Sequence, residues 1–189
     1  MIYSLEALQL EYRHGKKHSF LFFWGHTPPA DGSINESCLS QWWMAEFKID
    51  GIMYTCAEQY MMVEKARLFH DGDILAQIMA AETPKEMKSL GRLVRNFNKD
   101  IWEANCRQIV KTANDAKFSQ NPELLKFLLN TRGRILVEAS PRDQIWGIGI
   151  GKNNPNAENP INWRGRNLLG FALTEVRDEI ITRMGVAPE

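Results

Sequence analysis

The alternation of apolar and polar positions predicts a succession of short strands and helices with clear punctuation between them. Ser19 to Trp24 is a dense apolar and aromatic run, which predicts a buried strand ending at Gly25, His26 and the loop Thr27-Pro28-Pro29-Ala30-Asp31-Gly32. Glu46 to Tyr54 alternates around Asp50-Gly51, a pair that supplies the positive φ angles of a two-residue turn, so this stretch predicts a β-hairpin. The hairpin delivers the chain to Thr55-Cys56-Ala57-Glu58-Gln59-Tyr60, the start of a helix that runs to Phe69. A Thr-x-x-Glu capping box is expected to open it, with Thr55 as N-cap and Glu58 at the third helical position.

Further helices follow. Asp71 or Asp73 opens a short one to Ala81, and Thr83-Pro84-Lys85-Glu86 is a second capping box with proline in the first turn. Asn98 or Asp100 caps a longer helix whose Ile109, Ala113, Ala116 and Phe118 approximate one apolar stripe, and Asn121-Pro122 starts another that ends before Gly133. Arg134 to Ser140 is the clearest isolated strand, stopped by Pro141. Trp146 to Lys152 leads into a long polar loop reaching Asn162, and a final helix has Leu168, Val176 and Ile180 on its inner face. Leu5, Leu8, Leu10 and Tyr12 form a weak pattern, read as a short strand or an accessory segment. The resulting expectation is an α+β fold: a single compact, mainly helical domain over residues 19–185, preceded by an N-terminal accessory segment at 1–18. Its small β-sheet is expected from the Ser19, Glu46 to Tyr54 and Arg134 regions.

Composition narrows the class. Hydrophobic residues make up 44% and charged residues 24%, the balance of an ordinary globular protein, and 189 residues are enough for one well-filled core. The 23 basic and 23 acidic side chains cancel, which argues against a strongly electrostatic nucleic-acid binder while leaving room for a local basic patch. Three isolated cysteines without paired spacing point to a reducing compartment. No signal-peptide order and no apolar run of membrane-spanning length is visible, so a soluble, cytoplasmic protein without membrane association is expected.

Candidate chemistry centres on Glu58 and Lys65. Seven residues apart on one helix, they return to nearly the same face about 10.5 Å apart along the axis, and helical side chains lean toward the N-terminus. Glu58 also has a structural reading as the cap, and Lys65 has one as a partner of Glu64 or Glu58 on a solvated face. Cys56-Ala57-Glu58 has the ligand-x-Glu form of a zinc deaminase, but the Pro-Cys-x-x-Cys half is missing, because the other cysteines are Cys38 and Cys106. The glycines of Trp146-Gly147-Ile148-Gly149-Ile150-Gly151-Lys152 match neither a dinucleotide fingerprint nor a P-loop. Glu138, near the end of a core strand, is paired, edge-exposed or functional. Arg164 and Arg166 precede a helix and would suit a phosphate, although solvated arginines are commoner.

Several separated motifs resemble one family. Tyr54 to Tyr60, Lys65, Lys88 with Leu90-Gly91-Arg92, Trp102, Leu136 to Ser140, Asp143, Trp146-Gly147-x-Gly149 and Gly165-x-Asn167-x-Leu169-Gly170 together look like the NADAR, or YbiA-like, family over roughly residues 20 to 183. The resemblance implies an N-glycosidase that cleaves ribose from an exocyclic base amine. Family substrates are riboflavin-pathway intermediates bearing a phosphoribosylamino group, and guanine carrying ADP-ribose. Such an aminal opens to an imine, and a lysine amine can exchange with the departing base to give a Schiff base that water hydrolyses.

Residue by residue, the resemblance assigns Glu58, Lys65, Glu138 and Asp143 to catalysis. Trp102, Lys88, Arg92, Trp146, Gly147, Gly149, Arg164, Asn167 and Gln41 are assigned to substrate binding, with Arg92, Arg164 and Asn167 on phosphate or ribose. No metal or other cofactor is expected. The expected partner is ADP-ribosylated guanine in nucleic acid or nucleotide, functionally paired with an ADP-ribosyltransferase. A small ribosylamino-pyrimidine phosphate and a non-catalytic ADP-ribose or NAD reader are the alternatives. Leu39-Ser40-Gln41-Trp42 replaces the Phe-Ser-Asn-Phe-like segment of many relatives, and Gln59 stands where histidine is common, departures that bear on substrate identity more than on reaction type. To be nucleophilic near neutral pH, Lys65 needs desolvation or a neighbouring cation. Glu58, in a first turn, is expected to start as a better base than acid.

Overall fold

The computed structural model describes residues 3–185. Seven α-helices and four strands form among them, giving an α+β fold, and the chain divides into two compact units. One is Met1–Ser40 with Glu123–Glu189, and the other is Gln41–Pro122.

In the first unit, α1 (Leu5–Arg13) begins at Ser4, whose hydroxyl accepts from the Ala7 amide at 3.1 Å. This corrects the strand reading of the N-terminal segment. Leu5 and Leu8 stand three apart and Leu8 and Tyr12 four apart, which is helical spacing, and a serine cap supplies the start. Leu8 joins a core of Ile135, Val137, Ala139, Ile148, Ile150, Ala157, Trp163 and Phe171, with Phe20 and Phe22 packed against it. Met1 and Ile2 of the same segment lie outside the described residues.

Strand β1 (Ser19–Phe23) pairs in parallel with β4 (Arg134–Glu138), Ser19 opposite Arg134 and Phe23 opposite Glu138. The other edge of β4 is closed without a strand. Asn167 accepts from the Glu138 amide at 2.9 Å and donates to the Leu136 carbonyl at 3.0 Å, and Thr174 accepts from the Leu136 amide at 3.0 Å. The Ile148 amide takes the Glu138 carbonyl at 2.9 Å. Asn167 precedes α7 (Leu168–Arg183), the helix packed on β4, and holds a left-handed φ of 52°. Gly170 in the first turn of α7 has no room for a side chain, since a Cβ would lie 2.1 Å from the Leu136 carbonyl oxygen.

In the second unit, β2 (Met44–Ile49) and β3 (Ile52–Cys56) form the expected hairpin, with Asp50 at φ 50° and Gly51 at φ 81°. The single sheet expected from three regions is instead two separate two-stranded sheets. Side chains occupy the edges where further strands would pair. Gln120, at the end of α5 (Lys99–Gln120), accepts from the Lys48 amide and donates to the Lys48 carbonyl, both at 2.8 Å. A carboxamide thus reproduces what a neighbouring backbone would offer β2.

The centre of this unit is α2 (Ala57–Leu68), contacted by α3 (Gly72–Ala80), α4 (Pro84–Gly91) and α5. Every residue from Ala57 to Val63 is buried, which is why no amphipathic stripe marks this helix in the sequence. Asp71, Thr83 and Asn98 cap α3, α4 and α5 with their side chains, as the punctuation predicts. Helix α6 (Pro122–Leu129) starts at the expected proline.

Gly170→Ala is expected to lose about 2–3 kcal/mol of stability, through overpacking against the β4 backbone. Gly151→Ala, where a Cβ meets nothing within 4 Å, is expected to be nearly neutral. Thermal melts of the two variants read the difference directly.

Candidate active site

Strand β3 runs without a loop into α2, and this junction places the candidate glutamate. Thr55 stays in the strand, and Cys56, fully extended at φ −161°, becomes the N-cap without a side-chain hydrogen bond. The expected Thr55–Glu58 capping box is therefore absent. Because the helix starts one residue later, the third helical position is Gln59, whose carboxamide oxygen accepts from the Thr55 amide at 2.8 Å and the Thr55 hydroxyl at 3.1 Å. Gln59 also donates to the Ile78 carbonyl at 3.2 Å, tying α2 to α3. Glu58 takes the second helical position, buried at 5% exposure, and its amide donates to the Gln41 carbonyl at 2.9 Å. The capping box is thus not what accounts for this buried carboxylate.

Lys65, about two turns further on, is half-buried. Its Nζ donates to the Gly91 carbonyl at 2.7 Å and lies 4.5 Å from the Phe97 ring centroid and 5.7 Å from that of Trp102. It does not make the solvated surface pair with Glu64, which holds Arg67 instead. Burial pushes the Lys65 amine below the ordinary lysine range, and the Arg92 guanidinium pushes it the same way. The aromatic faces and the carbonyl favour the ammonium, yet the net direction is down. Both conditions expected for a nucleophilic lysine, desolvation and a neighbouring cation, are present.

Gly91 makes this geometry possible. A Cβ there would fall 2.0 Å from the Met62 sulfur, so glycine lets the end of α4 approach α2 closely enough for its carbonyl to reach Lys65. Lys88 on α4 holds its ammonium 5.7 Å from the Trp42 ring, and the exposed Arg92 follows Gly91. Gln41 is buried. Its side-chain oxygen accepts from Asn114 at 2.7 Å and its nitrogen contacts the Met61 sulfur at 3.7 Å, so this side chain is occupied inside the protein at the start of α2.

The second unit thus gathers Gln41, Glu58, Lys65, Lys88, Arg92 and Trp102 around α2. The remaining candidates belong to the first unit. Glu138 is the half-buried last residue of β4. Asp143 accepts from the Ile145 and Trp146 amides at 2.9 and 2.7 Å, and its carbonyl accepts from Gly149, so it organises the loop that follows. Gly147 and Gly149 are required by that loop. A Cβ on Gly147 would lie 2.8 Å from the Glu138 carbonyl oxygen, and Gly149 has φ +69°. Trp146 is half-buried in the same loop, Arg164 is exposed, and Asn167 is fully committed to the β4 edge.

Phe97, and the Gly91 carbonyl as acceptor for Lys65, were not legible beforehand. The one signal for Phe97 was a large aromatic in an otherwise polar turn, Arg95-Asn96-Phe97-Asn98. Among the described residues no three His, Cys, Asp or Glu side chains are grouped as a metal site, and no helix is long and apolar enough to cross a membrane.

The model of the NADAR domain matches residues 22–181. The chain belongs to the NADAR domain family. Among relatives, an N-glycosidase of Acanthamoeba polyphaga mimivirus is 45% identical over 150 residues, covering 74% of this chain and 85% of that protein. The riboflavin biosynthesis protein PYRR of Zea mays is 32% identical over 121 residues, 62% of this chain and 18% of that longer protein. The NMR structure of the E. coli protein YbiA superposes with a TM-score of 0.71 at 24% identity, covering 92% of each chain, and shows that the fold is shared. Relatives named N-glycosidases support an N-glycosidase function for this NADAR domain.

Two outcomes are expected. Gln59→Ala removes the link between the hairpin, α2 and α3 and is expected to destabilise by about 2 kcal/mol in chemical denaturation. Arg92→Gln removes a positive charge that disfavours the ammonium, so Lys65 is expected to titrate at higher pH than in the wild type, as read by NMR of isotopically labelled lysine.

Proposed function

We propose that this NADAR domain hydrolyses the N-glycosidic bond between a ribose and an exocyclic base amine, and that its substrate is guanine carrying ADP-ribose on its amino group, in nucleic acid or nucleotide. The observation that carries this reading is the Lys65 amine. It is half-buried, it lies against Phe97 and Trp102 with burial and Arg92 disfavouring its protonation, and it shares α2 with the buried carboxylate of Glu58.

The bond to be broken is an aminal, and its cleavage needs proton movement and an amine. Glu58, ionised at the start, takes the proton of the exocyclic N–H and passes it to the ring oxygen as the sugar opens, leaving a C1′=N imine to the base. The neutral Lys65 Nζ adds to C1′. A proton passes to the base nitrogen, the C–N bond to the base breaks, and a C1′=N bond to Lys65 remains. Water then adds to C1′, Lys65 leaves as the amine, and the aldehyde recloses to ribose. Glu58 suits the shuttle because it is buried and stands on the lysine's own helix. In this reading Lys88 and Arg92 supply charge for the phosphates, and an ADP-ribosyltransferase supplies the substrate.

Two aromatic rings beside the amine favour a large planar base. A second reading, a phosphoribosylamino intermediate with one phosphate, is favoured by the relative named as a riboflavin biosynthesis protein.

Kinetics on guanine-ADP-ribosylated DNA test the reading. Lys65→Ala and Glu58→Gln are each expected to lower kcat by roughly 10²-fold or more while the far-UV spectrum and melting transition are retained. Turnover that survives Lys65→Ala within a few-fold would overturn the covalent route. Wild-type inactivity on this DNA with cleavage of a ribosylamino-pyrimidine phosphate would move the substrate to the second reading.

A further inference from the structure

Apart from Trp102, the groups surrounding the Lys65 amine come from one short stretch: the Gly91 carbonyl, the Arg92 charge and the Phe97 ring. This stretch runs from Gly91, the last residue of α4, through the turn that leads to α5, and turns of this kind move unless something holds them. Here the holding group is Asp71. Its side chain has no exposed surface. One carboxylate oxygen accepts from the Ile74 amide at the start of α3, and the other accepts from the Arg95 amide at 2.9 Å and Arg95 Nε at 3.0 Å. Arg95 Nη2 reaches back to Asp71 and on to Asp73, at 2.7 Å from the latter. The Asp71 amide donates to the Ala66 carbonyl at 2.9 Å, so the carboxylate is itself fixed to the last turns of α2, one residue from Lys65. Phe97 is held separately, with its ring edge-on to Phe69 at 5.3 Å.

An ion pair buried on one side and forked across two backbone segments is an unusual investment for a surface turn, because one exposed pair contributes little. Its geometric effect is specific. With Arg95 tied to the start of α3, whose Asp71 amide is bonded to α2, the turn holds Arg92 and Phe97 beside Lys65.

We propose that Asp71 and Arg95 are positioning residues for the Lys65 amine, locking the 91–98 turn so that Phe97 and Arg92 stay beside it. The inference rests on the reading of Lys65 as the nucleophile. The pair acts through placement rather than through its own charge. Besides Lys65, α2 carries Glu58, Glu64 and Arg67, the last two paired with each other; α3 and its cap carry Asp71 and Asp73, held by Arg95; α4 carries Lys85, Glu86 and Lys88 and is followed by Arg92; and α5 carries Lys99, Asp100, Glu103, Arg107, Lys111, Asp115 and Lys117. Of these, the charge that acts on Lys65 is that of Arg92.

The signs separate placement from charge. Removing the negative charge of Asp71 through space would lower the Lys65 titration further, whereas releasing the turn exposes the amine and frees Arg92, which raises it. Arg95→Lys keeps the charge and loses the fork, so any shift it causes comes from placement.

The test is the pH dependence of reductive methylation of Lys65 by formaldehyde and cyanoborohydride, followed by peptide mass spectrometry on wild type, Asp71→Asn and Arg95→Lys. It needs no substrate. The titration of Lys65 is expected to move up by about one pH unit in both variants, toward an ordinary lysine. If wild-type Lys65 titrates low and neither variant moves it, or Asp71→Asn lowers it, the positioning role is overturned while the reading of Lys65 stands. If wild-type Lys65 already titrates as an ordinary lysine, both readings are overturned. Circular dichroism on each variant confirms the fold, and Arg95→Lys alone suffices should Asp71→Asn not fold.

Discussion

A half-buried lysine amine held on the Gly91 carbonyl, with a guanidinium for a neighbour, is the constraint on which the second unit turns. An ammonium offers three donors, and among the described residues the Gly91 carbonyl accepts from Lys65 at 2.7 Å. A neutral amine needs less. It can donate one N–H to that carbonyl and keep its lone pair available, and burial together with Arg92 tips the balance the same way. The chemistry that asks for an unprotonated amine and the packing that disfavours a protonated one are therefore the same arrangement.

That arrangement requires several elements to come close to α2, and the sequence spends particular residues on it. Gly91 yields space to Met62, Gln59 links the hairpin to α3 across the start of the helix, and Asn114 holds Gln41 where its carbonyl receives the Glu58 amide. Carboxamides recur as substitutes for backbone. Gln120 closes the edge of β2 as Asn167 closes the edge of β4, which explains how two-stranded sheets exist here without a third strand on either.

Most element boundaries were legible because turn chemistry is local. Asp50-Gly51, Thr83-Pro84, Asn98 and Asn121-Pro122 all mark ends that the structure keeps. What was not legible depended on tertiary contact. The helix start moved from Thr55 to Cys56 because β3 stays paired through Cys56, and a strand register cannot be read from a capping motif. The helical state of Leu5 to Arg13 depends on Leu8 finding the core around Val137 and Phe171, and the separation of the sheets depends on side chains far away in sequence. In the candidate site, the pairing of Glu58 and Lys65 on one helix followed from spacing alone, whereas Phe97 enters only because its turn is folded back onto Phe69.

Whether Lys65 forms a covalent intermediate is read by quenching turnover of guanine-ADP-ribosylated DNA with borohydride and mapping the modified peptide by mass spectrometry. An ADP-ribose adduct reduced onto Lys65 is expected, absent when borohydride is omitted. Release of ADP-ribose without any adduct, or an adduct on another lysine such as Lys88 or Lys117, would contradict it.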